Sequence, residues 1–225
     1  SSIPVVCHTK ASRSDIEHLF CTNEVNEIVL VDKKNSPKGI LSRKQFYKKI
    51  HLSPPHLGKN EVNYVNKAFD DNWIAPEGPN LNAFETKLSK ILKRKNVIAL
   101  SSGTAAIHLA LRALGIKQGD RVLVSDLTFS ASIQPILYEK ADPILIDSEP
   151  NGWNMSPRAL EKAIFYLKKA NRMPKAIILV HLYGQPAKLN EILSIAEQFK
   201  IPVIEDSAES LGAVYNKKPS GSHGK

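Results

Sequence analysis

From Val97 onward the chain alternates short apolar runs with longer amphipathic stretches, and this alternation narrows the fold more than any other feature. The runs VIAL (97–100), RVLVS (121–125), PILID (143–147), AIILVHL (176–182) and PVIED (202–206) are of strand length and almost wholly apolar. Strands apolar on both faces need cover on both faces, the signature of parallel rather than half-solvated antiparallel sheets. Between them, residues 105–114, 130–138, 157–169 and 189–199 carry apolar side chains at helical spacing. The repeat predicts an α/β fold: a mostly parallel sheet, right-handed crossovers and helices on both faces.

In such sheets ligands gather beyond the carboxyl ends of the strands. The polar residues of this chain stand there: Ser101-Ser102-Gly103-Thr104, Asp126 to Phe129, His181 to Gly184, and Glu205 to Glu209. Strand, small polar turn and helix in succession at 97–114 aim free N–H groups and hydroxyls at one spot, an anion site at a helix N-terminus. Ser102 or Thr104 acting only as a helix cap is the competing reading. Phe129 offers a flat face for a heteroaromatic ring. Asp206 is a carboxylate at the end of an apolar strand, costly to bury without a partner. A protonated pyridine nitrogen is one such partner, and a strand-end turn is the alternative. Phosphate, ring and ring nitrogen together describe pyridoxal 5′-phosphate. Nucleotide binding is the other chemistry, but neither GxGxxG nor GxxxxGK[ST] occurs.

The chain has 225 residues, ample for a core, and a net charge of +9. Its lysines sit at expected helix ends and turns, with no basic stripe interleaved with aromatics, so no nucleic-acid partner is expected. No apolar run is long enough to cross a membrane, and the first ten residues lack the pattern of a secretory signal. The two cysteines, Cys7 and Cys21, make no metal-ligand spacing; no metal site and a reducing, cytoplasmic setting are expected.

Residues 1–50 read as a separate small αβ segment: a helix around 15–20, a strand at 27–32, a turn at 33–39, a strand restarting at Ile40, and a capped helix at 42–50 with Phe46, Tyr47 and Ile50 on its apolar face. The run IVLVDKKNSPKGILSRKQF resembles the second half of a CBS module, with Ser42-Arg43 where Thr-Arg is usual. A small adaptor, or the tail of an upstream domain, is the alternative. Residues 51–56 (HLSPPH) read as a linker. A helix beginning at Lys59 or Asn60 has Val62, Val65, Ala68 and Phe69 as its stripe, an irregular stretch covers 72–80, and a second helix carries Leu81, Phe84, Leu88, Ile91 and Leu92. By physics alone Trp73, a lone loop aromatic, is a packing plug rather than a ligand contact.

Residues 51–225 resemble the DegT/DnrJ/EryC1/StrS sugar aminotransferases, a fold-type-I pyridoxal phosphate family. The likeness lies in LSPPH, NWIAPEGP, AFE, SSGTAAIHLALRALGIKQGDRVLV, LTFSAS, DPILID, VHLYGQPAKL, VIEDSAESLGA and GSHG. The resemblance implies the N-terminal part of the large domain of that fold, and roles for matching positions. Gly103 and Thr104 would hold the cofactor phosphate, Phe129 would stack on its ring, Asp206 would pair with the ring nitrogen, and Glu209 would lie near the phenolic oxygen. Many members carry Gln at the place of Glu209; the bacillosamine-type branch carries Glu. Asn72, Trp73, Ile74 and Ala75 would face the nucleotide sugar, which reverses the plug reading of Trp73. His181 would lie at the cofactor's edge, in chemistry or in packing only. The family's Schiff-base lysine follows GSHG, so the catalytic residue is expected beyond Lys225, itself a non-catalytic position. The implied reaction moves an amino group from L-glutamate to the C4 ketone of a UDP-linked 4-keto-6-deoxy-N-acetylhexosamine, in a homodimer. A catalytically inactive fragment, or a CBS-like nucleotide-sensing regulator, is the alternative.

Overall fold

The computed structural model describes residues 4–47, 55–73 and 75–224. The chain divides into two compact units, residues 1–71 and 72–225.

The first unit is built on a three-stranded sheet in the order β1 (Val6–His8), β2 (Glu27–Val31), β3 (Pro37–Ser42), with β1 and β2 parallel and β2 and β3 antiparallel. Helix α1 (Arg13–Thr22) starts at a capping box in which the Ser12 hydroxyl accepts from Asp15 N and Asp15 accepts from Ser12 N. It lays Phe20 on Ile28 and Cys7, and the Phe46 ring closes the core 5.4 Å from that of Phe20. Strand β1 was not expected from the sequence; at three residues it is too short to show a period. The turn between β2 and β3 is tighter than 33–39. The Asp32 carboxylate accepts from Lys34 N and Ser36 N, which reverses the chain in time for Pro37 to pair with Val31. Ser42 caps α2 (Arg43–Phe46); Ile50, expected on its apolar face, lies outside the described residues. Helix α3 (Lys59–Asp70) forms as its spacing predicts, with Val62, Val65 and Phe69 exposed.

The second unit opens with α4 (Pro79–Leu92). Pro79 takes the first helical position, where its missing N–H costs nothing, so the irregular stretch ends two residues sooner than the expected 72–80. The helix stops at Lys93 in the left-handed conformation. Helix α5 (Gly103–Ala113) leads to a four-stranded, all-parallel sheet of β4 (Arg121–Ser125), β5 (Asp142–Ile146), β6 (Ala176–Val180) and β7 (Val203–Asp206), ordered β5-β4-β6-β7. Helices α6 (Gln134–Tyr138), α7 (Pro157–Lys169) and α8 (Leu189–Gln198) complete the crossovers, and a short hairpin of β8 (Val214–Tyr215) and β9 (Lys218–Pro219) follows. Alternation along the strands divides the core in two. Leu123, Ile177, Leu179 and Val203 face α7 and α8 through Leu160, Ile164, Leu189 and Ile192. Val122, Val124, Ala176 and Ile178 face α5 and α6 through Ile107, Leu111 and Ile136. This is the expected parallel sheet with helices on both faces.

One expected strand is absent. Residues 97–100 form no regular element and pair with no strand among the described residues, and Ile98 and Leu100 are exposed. An apolar run becomes a strand only where a neighbour supplies the ladder. Here the segment is tethered instead by Ala99 N donating to the Glu85 carboxylate at 2.8 Å. The stretch 130–138 is likewise not one helix but a 3₁₀ turn at Ser130–Ser132 followed by α6, with Pro135 in the first turn of α6.

Candidate active site

The chain runs from β4 outward to β5 and then returns past β4 to β6, so the strand order reverses between β4 and β6. That reversal opens a crevice at the carboxyl ends. A cavity of about 140 Å³ lies there, lined by Gly103, Thr128, Phe129, Asp206 and Glu209 among others. Four of the five residues expected to touch the cofactor thus meet in one cavity.

At the α5 end, Ser102 Oγ accepts from Ala105 N at 3.1 Å and its carbonyl accepts from Ala106 N. The cap reading is therefore correct as far as it goes. It leaves the N–H groups of Gly103 and Thr104 without an acceptor among the described residues, at the positive end of an eleven-residue helix. A Cβ placed on Gly103 would meet nothing within 4 Å, so the approach to these donors is open. Gly103 itself lines the cavity; Thr104 follows it in the same turn. Phe129 ends the loop after β4, is 79% exposed as a residue and lines the cavity, an uncovered aromatic side chain.

Asp206 is held on both oxygens. Its Oδ2 accepts from Ser132 Oγ at 2.6 Å and its Oδ1 from Ala208 N at 3.2 Å. Ser132 is fully buried and also meets Thr128 Oγ1 at 2.7 Å. Glu209 Oε2 accepts from Tyr183 N at 2.6 Å, which leaves its Oε1 without a protein donor among the described residues. Tyr183 presents that amide from a left-handed conformation with φ 50°. Asn154 fixes the same loop, accepting from Leu182 N and donating to Gln185 O.

His181 is not in the cavity. It has no exposed surface, and both ring nitrogens are engaged inside the protein. Nδ1 accepts from Ala187 N at 3.1 Å, so the ring proton is on Nε2, which donates to Glu205 Oε2 at 3.0 Å. Of its two open roles, packing is the one the geometry shows. Glu205, grouped by the sequence with the strand-end residues of the site, does not line the cavity either. Its carboxylate also accepts from Gly221 N, His223 N and Gly224 N. Burial alone would push this carboxyl up, but the His181 bond and the three amide bonds outweigh it and hold it below the usual glutamate range. The sequence signal was available: adjacent residues on a strand face opposite sides, so Glu205 and Asp206 cannot serve one site.

Trp73 lies apart from the cavity. Its indole N–H donates to Glu77 O at 2.5 Å and its ring rests on Gly78, with one face in a groove beside Pro79, Glu85 and Ile98. Asn72 and Ala75 are exposed on the same loop, and Ile74 lies outside the described residues. No group of His, Cys, Asp and Glu able to hold a metal, and no helix long and apolar enough to cross a membrane, occurs among the described residues.

A helix-terminal anion cradle, an uncovered aromatic face and a carboxylate held on both oxygens, at the switch point of a parallel sheet, have the chemistry that an aromatic phosphate cofactor requires. The sequence pattern of the DegT/DnrJ/EryC1/StrS aminotransferase family matches residues 55–225, and the chain belongs to that family. Pyridoxal 5′-phosphate is the cofactor of its relatives. EpsN of Bacillus subtilis (strain 168), assigned as a pyridoxal phosphate-dependent aminotransferase, is 54% identical over 179 residues, 80% of this chain and 46% of EpsN. GDP-perosamine synthase of Escherichia coli O157:H7 is 39% identical over 177 residues, 79% of this chain and 47% of the synthase. The crystal structure of a DegT DnrJ EryC1 StrS aminotransferase from Brucella abortus superposes with a TM-score of 0.70 at 35% identity, over 74% of this chain and 45% of that one. The chain thus spans about half the length of the curated relatives it matches. The residues present fit the cofactor: free helix N–H groups and open space for a phosphate, an exposed ring for stacking, and a held carboxylate for a ring nitrogen.

Proposed function

We propose that this chain carries the cofactor-binding part of a nucleotide-sugar aminotransferase. The complete enzyme takes an amino group from L-glutamate and places it on the C4 ketone of a UDP-linked 4-keto-6-deoxy-N-acetylhexosamine, for surface-polysaccharide or glycoprotein sugars. The observation that carries this reading is the convergence of Gly103, Phe129, Asp206 and Glu209 on one cavity at the β4–β6 switch point. Gly103 and Thr104 bind the phosphate through their N–H groups. Phe129 covers one face of the ring and excludes water from it. Asp206 orients the ring nitrogen and holds its proton, while Glu209 faces the phenolic oxygen. When bound, the cofactor supplies an electron sink for charge developing at the substrate carbon. The loop 72–75 is assigned to the nucleotide sugar by resemblance. We further read the complete enzyme as a cytoplasmic homodimer, and residues 1–50 as a CBS-like αβ segment.

The UDP assignment rests on LSPPH, NWIAP and EDSAES. The similarity to GDP-perosamine synthases favours a GDP-linked sugar as the second reading. The full-length protein should aminate a UDP-linked 4-keto-6-deoxy-N-acetylhexosamine in the presence of L-glutamate, with release of 2-oxoglutarate. Turnover of GDP-linked substrates alone would replace the UDP reading. Failure to bind pyridoxamine 5′-phosphate would end the cofactor reading, whatever the sugar.

A further inference from the structure

The contact between Ser132 and Asp206 joins two walls of the cavity that the chain separates by 74 positions. A hydroxyl has one proton. Ser132 spends it on Asp206 Oδ2 at 2.6 Å, because an ionised carboxylate only accepts. The 2.7 Å contact with Thr128 Oγ1 then runs the other way: Thr128 also reaches Phe129 O at 3.3 Å, but two oxygens 2.7 Å apart need a proton between them, so Thr128 donates to Ser132. The carboxylate thereby sets the direction of a chain of hydrogen bonds from Thr128 through Ser132 to Asp206. Thr128 adjoins Phe129, and both line the cavity with Asp206. Ser132 has no exposed surface, so no water replaces either bond.

We propose that Thr128 and Ser132 are positioning residues that lock the Asp206 carboxylate toward the cofactor's ring nitrogen and tie it to the loop bearing the stacking ring. This inference rests on the cofactor reading above. Without Ser132, Ala208 N remains the only donor to the carboxylate among the described residues, and one donor does not fix rotation about the Cβ–Cγ bond. The consequence is selectivity. A ligand with a ring nitrogen should lose affinity when Ser132 is removed, whereas one with C–H in that place should not.

The test uses the full-length protein and calorimetric titration with two probes: pyridoxamine 5′-phosphate, which lacks the aldehyde that labels surface lysines, and its analogue with C–H replacing the ring nitrogen. The wild-type protein should prefer pyridoxamine 5′-phosphate. Ser132→Ala should bind it about tenfold more weakly, the loss of one hydrogen bond to a charged group, and bind the analogue unchanged. Thr128→Val, at a half-buried position, should weaken pyridoxamine 5′-phosphate by a smaller factor, leave the analogue unchanged, and covers the case in which Ser132→Ala does not fold. Adding Ser132→Ala to Asp206→Asn should cost nothing further, because Ser132 acts through Asp206. Equal losses for both probes, or additive losses in the double variant, would overturn the proposal and leave the cofactor reading intact. No binding of either probe to the wild-type protein would overturn both.

Discussion

Replacing Glu205 should unfasten the second unit from the inside. Its side chain is 3% exposed and accepts from four donors: His181 Nε2 and the amides of Gly221, His223 and Gly224. Glu205→Ala leaves all four in a buried site. At roughly 1 kcal/mol for each donor left unpaired the loss is about 4 kcal/mol, the size found when one side of a buried polar pair is removed. Glu205→Gln keeps the volume and one acceptor oxygen but points an amide group at N–H donors, so about 2–3 kcal/mol is expected. Both tryptophans, Trp73 and Trp153, lie in the second unit, so urea unfolding followed by tryptophan fluorescence reads that unit. The pH dependence supplies an independent check. The folded carboxyl sits below its unfolded value, so its contribution is present above the unfolded value of about 4.3 and is lost as pH falls through the folded one. Wild-type stability should therefore fall with acid more steeply than that of Glu205→Gln. A change in Glu205→Ala within about 0.5 kcal/mol, the range of an ordinary surface substitution, would refute the reasoning, as would equal acid slopes.

Three further outcomes are expected. Asn154→Ala should cost about 2 kcal/mol by stranding Leu182 N and Gln185 O, with faster amide exchange at Leu182 and Tyr183. Ser102→Ala should cost about 1 kcal/mol through loss of the α5 cap; because Gly103 and Thr104 keep their N–H groups, calorimetry should show affinity for pyridoxamine 5′-phosphate changed less than stability. Leu160→Ala, at a fully buried core position between α7 and the sheet, should cost about 3 kcal/mol in chemical denaturation.

The sheet was legible because its strands are apolar on both faces and short helices separate them; β4, β5, β6 and β7 fall within a residue or two of the runs that predicted them. Residues 97–100 show what such a run leaves out. Apolar character says that a segment wants cover, and only a neighbouring backbone makes it a strand. The cavity was legible for a similar reason. Strand ends can be read from sequence, and the residues that follow them are brought together by the sheet whatever their side chains. Ser132 and Asn154 were not legible, because their partners lie across long sequence separations and neither residue follows a strand end directly. Trp73 shows the opposite limit. Physics favoured a packing plug and the resemblance a sugar contact, and in the structure its N–H caps its own loop while part of its ring remains open.

The adjacent carboxylates at the end of β7 explain why this wall of the cavity can be stiff although it ends a strand. Alternation sends Asp206 to the face of Ser132 and Ala208, and Glu205 to the face of His181 and residues 221–224. Twisting the strand end to improve one set of bonds breaks the other. The His181–Glu205 pair is thus out of contact with the Asp206 carboxylate but tied to it through one peptide unit. The tie also runs the other way: His181 N donates to Asp206 O at 3.1 Å in the β6–β7 ladder. A histidine buried with both nitrogens engaged therefore helps decide where the Asp206 carboxylate stands.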